Sequence, residues 1–361
     1  MKRVILSLVV AVLLGSILLT GCSEPEPEPT SSPSPTASPT AEPTQEPVKT
    51  TVLRMATYNA NTTDTGILMA QLPGRIKERT GGRYDIEIYW SDSLVPMFEI
   101  MDAVREGAAE MGDFPFGPFA SQDQRFASAE TPFSYTCLEA MREGCQLMLP
   151  EFSKVLSDKF NQVGMVTYGI GFLEAGCPDH PIKTLEDWEG VMCQSISPQM
   201  AGFLEAVKAT GASIPPSEVY QSMEKGIIDA TMQAPGKYEE AKLYEICKNV
   251  TIAFTMPAAC GVTINKAVYD KMSAEDQQIF MEEGAWLQEE YINILLDSFD
   301  VTIQELKDYG MDVYFLPKAE RDRWEAAVKP YVDGLLGDMG DFGVRAQEIF
   351  DEVNNKYPYP Y

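Results

Sequence analysis

The chain has 361 residues and a formal charge of −26, with 28 Lys plus Arg against 54 Asp plus Glu. That excess of acid excludes a basic face for nucleic acid or for an anionic membrane surface. The single histidine, His180, sits in the turn-like Pro178–Pro181, which removes histidine-rich zinc sites and any Ser-His-Asp or Cys-His pair built on another residue. No P-loop, G-x-G-x-x-G or G-x-S-x-G stretch occurs. Asp338 and Asp341, either side of Met339-Gly340, lack a calcium-loop pattern and read as a solvated connection between helices. No cofactor or metal site and no enzymatic constellation is expected.

At the N-terminus, Lys2 and Arg3 precede an apolar run from Val4 to Leu19 that is interrupted only by Ser and Gly. A basic head, an apolar core shorter than the roughly 20 residues that span a bilayer and a small-residue cleavage site define a signal peptide over 1–21. The ending Leu19-Thr20-Gly21-Cys22 resembles the lipobox of bacterial lipoproteins, which implies acylation of Cys22 and an extracytoplasmic, lipid-anchored location at the cell membrane. Residues 22–50 follow as a proline- and glutamate-rich stalk with almost no apolar side chain. Such a segment buries too little surface to offset its ordering entropy and is expected to be an extended, disordered spacer.

Residues 51–361 carry the folded part. Val52–Thr57 reads as a strand, followed by a polar stretch to Asp64 and one helix bearing Ile67, Leu68, Leu72 and Ile76 that stops at Gly81-Gly82. Tyr84, Ile86, Ile88 and Trp90 alternate with polar neighbours as a strand, Met97, Met101, Val104 and Ala108 form a helical stripe, and Met111–Phe116 returns as a strand. Further strands are expected at Gly164–Gly169, Val191–Ile196, Cys260–Ile264 and Met311–Leu316. Helices are expected at Gln199–Thr210 and after Ser217, read as the cap of a helix bearing Val219, Met223 and Ile227. From Ser273, with Asp276 as its capping partner, a helical pattern runs to Gly310. It would exceed roughly 50 Å, so it either breaks near Asp297 or crosses between two domains. Two amphipathic helices close the chain. Strands alternating with helices predict an α/β fold with a parallel sheet.

After Cys22, six cysteines remain: Cys137, Cys145, Cys177, Cys193, Cys247 and Cys260. Their spacings match no metal motif and form no CxxC pair. Cys137 and Cys145 stand about 12 Å apart along one predicted helix, too far for a disulfide. No pairing is assigned.

Several pieces in the right order resemble the extracytoplasmic solute receptors of tripartite ATP-independent periplasmic (TRAP) transporters, in their dicarboxylate-receptor-like branch. The most specific is Pro215–Asp229, with its proline, its Ser217-Glu218-Val219-Tyr220 and its Gly226-Ile227-Ile228-Asp229. Pro181–Gly190, Ile264-Asn265-Lys266, Glu106-Gly107 and Ala129–Phe133 also fit, so the likeness covers roughly residues 51–361. It implies a two-domain periplasmic-binding-protein-like clamshell with one long helix bridging both domains. Lobe I would take about 51–170 plus 260–297, and lobe II about 171–259 plus 298–361. It implies a receptor that captures a small organic solute by domain closure and delivers it to a TRAP-type membrane permease. A receptor feeding a membrane sensor and an anchored enzyme are the alternatives.

The same resemblance implies a ligand site between the lobes. Tyr58 and Asn59 would come from the loop after the first strand, Phe114 and Phe116 would form an aromatic wall, and Glu174, Gln194, Ser197 and Gln233 would come from lobe II. The family's substrate-gripping arginine falls at Gln194, and a second basic position falls at Leu173 or Glu174. An amide or an acid does not reproduce guanidinium geometry. This puts the usual carboxylate ligand in question and favours a neutral or amine-bearing one. A slipped alignment would instead admit Arg54 or Arg125.

Overall fold

The computed structural model of the protein describes residues 49–361. The apolar leader, Cys22 and the proline-rich segment through residue 48 lie outside them. The chain opens with β1 (Thr51–Thr57), α1 (Asp64–Met69) and α2 (Leu72–Arg79). One helix is expected over this stretch. The break falls where Pro73 would lack an amide donor and collide with the carbonyl of Met69.

β2 (Tyr84–Tyr89), α3 (Ile100–Glu106) and β3 (Met111–Pro115) follow, then two 3-10 stretches at Gly117–Ser121 and Gln124–Glu130. The long helix α4 (Leu138–Lys159) feeds β4 (Gln162–Cys177). Next come β5 (Met192–Ser195), α5 (Pro198–Ala206), β6 (Thr210–Ser213), α6 (Val219–Glu224), β7 (Thr231–Gln233) and α7 (Pro235–Glu240). The last third holds β8 (Asn249–Asn265), α8 (Lys266–Tyr269), α9 (Ala274–Asp308), β9 (Asp312–Phe315), α10 (Lys318–Asp338) and α11 (Asp341–Lys356). Ser217 does not cap α6. It lies inside a short 3-10 turn, Pro216–Glu218, that starts on Pro216, and α6 begins behind it at Val219.

The main sheet has the order β2-β1-β3-β8-β4-β7, with β9 added on β8, and β5 and β6 form a second sheet. The expected parallel sheet is therefore mixed. β1 is parallel to β2 and β3, but β3–β8, β4–β8 and β4–β7 are antiparallel. The cause is the length of β4 and β8. Each is read from sequence as a short strand, and each runs on for 16 or 17 residues.

These two strands pass through both halves of the sheet. Near one end, Met111–Pro115 of β3 pairs with β8 at Cys260–Ile264. Near the other, Thr231–Gln233 of β7 pairs with β4, and β9 pairs with β8 at Asn249–Ile252. In between, the β4–β8 register slips at Gly169/Phe172 and again at Leu173/Ala175. Gly171 lies there with φ of 106°, open only to glycine at low cost. The ladder also slips at Gly164/Val166, but the two slips around Gly171 separate the half of the sheet that carries β3 from the half that carries β7 and β9, and mark the hinge region between the lobes.

Helix α9 is unbroken over 35 residues, about 52 Å at 1.5 Å per residue. Ser273 caps it, its Oγ accepting the Asp276 amide at 3.1 Å. Its N-terminal half is pinned to α2 and to the turn after it. Arg75 and Arg79 both pair with the buried Glu283, and Arg83 pairs with Asp276. Its C-terminal half reaches α7 and β9. The terminal helix α11 departs from the expected lobe boundary by returning to α4. Tyr135 meets Phe350 edge-on at 5.2 Å, the Asn354 amide bonds Thr136 N at 3.0 Å and Ser134 O at 2.9 Å, and Lys356 pairs with Glu143 at 2.6 Å.

α9 approaches β4 at Gly284, where a Cβ would stand 2.7 Å from the Met165 carbonyl oxygen. Ala is about 1 kcal/mol better than Gly inside a helix, but overpacking a rigid contact costs about 1–3 kcal/mol, and a strand carbonyl cannot yield. Gly284→Ala is expected to lower stability in denaturant titration. Gly334→Ala in α10, with open space around its site, is expected to raise it. Equal shifts in the two variants would contradict this packing.

Candidate functional site

The loop after β1 enters the site rigidly. The Thr57 hydroxyl donates to Asp113 at 2.7 Å, Asn59 Nδ2 donates to the same carboxylate at 2.8 Å, and Tyr168 Oη donates to its other oxygen at 2.8 Å. Asp113 is buried, and burial pushes its carboxyl up to about 6, against the pull of these three donors. Tyr58 lies beside it, with its hydroxyl 3.2 Å from Cys260 Sγ. Tyr168 stacks on Tyr291 of α9 at 4.1 Å.

Against this loop lies a cavity of about 670 Å³, in the usual range for a small-molecule site. Its walls come from Tyr58–Thr65 after β1, from Gly169–Phe172 at the hinge, from Ala234–Glu240 at the β7–α7 junction, and from α9 between Tyr291 and Glu305. Glu174 and Phe254 complete it. Both lobes and the hinge thus bound one space. Among the described residues, no arginine lines it and Lys237 is its one basic side chain.

Three of the expected site residues, Tyr58, Asn59 and Glu174, line this cavity. Glu174 is already engaged. Its Oε1 accepts Phe254 N at 2.8 Å, and its Oε2 accepts Ala253 N at 3.0 Å and Thr255 Oγ1 at 3.1 Å. The residue between them, Phe254, holds a left-handed φ of 48°. Burial pushes the Glu174 carboxyl up to about 7, with these donors pulling it back.

Gln194 and Gln233 form a network beside the cavity. Gln194 Oε1 accepts from Gln233 Nε2 at 2.6 Å and Thr231 Oγ1 at 2.7 Å, and its Nε2 donates to Ile214 O at 2.9 Å. The Gln194 amide ties β5, β7 and the segment after β6 together.

Ser197 caps α5 by accepting Met200 N at 3.2 Å. Phe114 and Phe116 do not form a cavity wall. Phe114 lies on β3, on the face opposite Asp113, and Phe116, just past the strand's end, meets it edge-on at 5.7 Å. Both are fully buried, with Phe116 against Phe152 at 4.7 Å and Phe126 at 5.6 Å, and Phe114 against Phe119 at 5.2 Å. Arg54 is paired with Glu110 and Arg125 with Asp123, so neither reaches the cavity.

Sequence reasoning missed Asp113, Tyr291 and Glu130. Asp113 had a visible signal, as the one charged residue inside an otherwise apolar strand. Glu130 is buried at the end of the second 3-10 stretch, and its Oε2 has no hydrogen-bond partner among the described residues. The Gly117 backbone packs so closely on this carboxyl that no Cβ would fit there. α5 packs against both 3-10 stretches, so Glu130 stands where the lobes touch. Among the described residues, no cluster of three metal-binding side chains occurs and no helix is long and apolar enough to cross a membrane.

Two lobes on a slipped two-strand hinge, enclosing a cavity that draws walls from each, define a binding protein for a small solute. Residues 55–337 match bacterial extracellular solute-binding protein family 7, and the chain belongs to that family. The C4-dicarboxylate-binding periplasmic protein of Rhodobacter capsulatus is 26% identical over 302 residues, 80% of this chain and 87% of that protein. A Bordetella pertussis extracytoplasmic solute receptor binding pyroglutamic acid shares the fold with a TM-score of 0.77 at 21% identity, over 84% of this chain and 100% of its own. A TRAP periplasmic solute-binding protein of Chromohalobacter salexigens with bound D-glucuronate does so with a TM-score of 0.76 at 19% identity, over 83% and 99%.

The raised carboxyls have a consequence for pH. Burial pushes Glu130 up to about 7, against an ordinary value of about 4.3. The folded state therefore holds a proton that the unfolded chain has released. The stability from this proton is fully present below about pH 4 and is lost as pH rises to about 7, a change of about 4 kcal/mol. Paired carboxylates such as Asp123 and Glu110 are held below their usual range and act oppositely at lower pH. Thermal midpoints are expected to peak near pH 5 and fall toward pH 8. Glu130→Gln is expected to flatten that fall, and an unchanged slope in the variant would contradict the assignment.

Proposed function

We propose that the protein is an extracytoplasmic receptor that captures a small organic solute by lobe closure and delivers it to a TRAP-type secondary transporter. The observation that carries the reading is the cavity bounded by both lobes and by the slipped β4–β8 hinge. A solute that touches both walls binds the closed form better than the open one, and only that difference shifts the population. Moving the equilibrium from 1:99 to 99:1 takes about 5.5 kcal/mol of differential binding. Tyr58, Asn59 and Glu174 are proposed as direct contacts, with Gln194 and Gln233 as the polar edge that closure brings toward the solute. Family membership and the absence of an arginine grip support a receptor whose ligand is held by amides, hydroxyls and carboxylates. The function is binding without turnover. Small-angle scattering is expected to show a more compact particle when solute is bound, and an identical profile at saturation would contradict closure.

The same reading places the receptor on the outer face of the cell membrane through acylated Cys22, with the segment behind it as spacer. One acyl chain anchors only marginally, whereas two or more hold firmly. In detergent phase separation the native protein is expected in the detergent phase and Cys22→Ser in the aqueous phase. Aqueous partitioning of both would remove the anchor.

A further inference from the structure

The charges around the cavity point away from the acids bound by related receptors. Asp64, Glu174, Glu239, Glu240 and Glu305 all line it, against Lys237 alone, and Lys237 already pairs with Glu240 at 2.5 Å. A carboxylate solute would enter a field of its own sign with no guanidinium to receive it. A cation would be drawn in by the rim and would find acceptors inside.

The interior supplies those acceptors. Tyr291 is 1% exposed and lines the cavity, and its hydroxyl has no hydrogen-bond partner among the described residues. Such a group is costly to leave unmet, and its oxygen accepts from an ammonium. Glu174 Oε1 takes one donor, Phe254 N, and retains capacity for a second. Tyr58, Phe172, Phe254 and Phe299 provide ring faces around the same space, which suit both an apolar body and the charge beside it.

We propose that the solute of this receptor is an organic cation: an ammonium compound with an apolar or aromatic body, its nitrogen received by the acceptors of the cavity wall, Tyr291 Oη and Glu174 among them, and drawn in past Glu239 and Glu305. This deepens the receptor reading and rests on it.

The test is calorimetry and thermal shift on the mature protein with probes that differ in charge. Phenethylamine, histamine and choline serve as cations, and 3-phenylpropionate, pyroglutamate and glucuronate as anions. At least one cation is expected to bind tenfold or more tighter than any of the anions, with affinity falling as salt rises. The double variant Glu239→Gln/Glu305→Gln is expected to weaken that binding about tenfold, a loss of about 1.4 kcal/mol. Tyr291→Phe is expected to weaken it as well, and neither change should move the thermal midpoint of the unliganded protein. Tight binding of an anion with no response to the cations would overturn the inference and leave the receptor reading standing. No response to either set would count against both.

Discussion

The structure depends on how three residues of β8 are held. At Ala253-Phe254-Thr255 the strand leaves its ladder with β4, and Phe254 turns into a left-handed conformation. Glu174 of β4 takes the two amides and the hydroxyl that the ladder no longer satisfies. From the other side, the buried Arg321 donates through Nε to the Ala253 carbonyl at 2.9 Å and through Nη2 to the Tyr135 carbonyl at 3.2 Å. Its guanidinium lies over Phe133 and Tyr359. Strain of this kind costs about 1–3 kcal/mol and persists only where neighbours over-determine it. Here a carboxylate and a guanidinium fix the same peptide, so the slip in the ladder is a built feature, and the cavity opens beside it.

That arrangement also explains the chemistry of the site. The Glu174 carboxylate is part of the hinge, and the Gln194 amide is part of the lobe II strand network. The buried arginine that the fold does supply is spent on backbone carbonyls. The polar side chains that face the cavity are acids, hydroxyls and Asn59, with Lys237 as the one cation among the described residues. α9 reinforces the division. Arginines neutralise its N-terminal acids, Asp276 and Glu283, while Glu305 near its other end faces the cavity.

Much of the element order was legible because local signals and tertiary packing agreed. Ser273 marks the start of α9, and its stripe of apolar residues continues because both lobes need it. β4 and β8 were legible only in part. Gly169, Gly171 and Pro257 break the strand pattern where the hinge slips, so each strand read as its best-patterned segment. The antiparallel pairing was not legible, since it follows from β8 returning from lobe II to insert between β3 and β4. Family likeness pointed to Tyr58, Asn59 and Glu174, and all three line the cavity. Phe114 and Phe116 were placed in the cavity by the same route, although Phe114 faces the core from β3 and Phe116, where the strand ends and a 3-10 turn begins, packs on Phe126 and Phe152. Tyr291 and Glu305 carry no local signal, being ordinary residues of an amphipathic helix until β4 and α7 bring the cavity to them.

The central claim is that the walls of the cavity belong to bodies that move about the β4–β8 hinge. It is tested most directly by spin-label distances between Thr62→Cys on the loop after β1 and Ala241→Cys beyond α7, in a protein whose six described native cysteines are all buried. The account predicts that solute shortens and narrows this distance, while a pair within one lobe, Thr62→Cys and Glu78→Cys, stays fixed. Distances across the cavity that are the same with and without bound solute would contradict it.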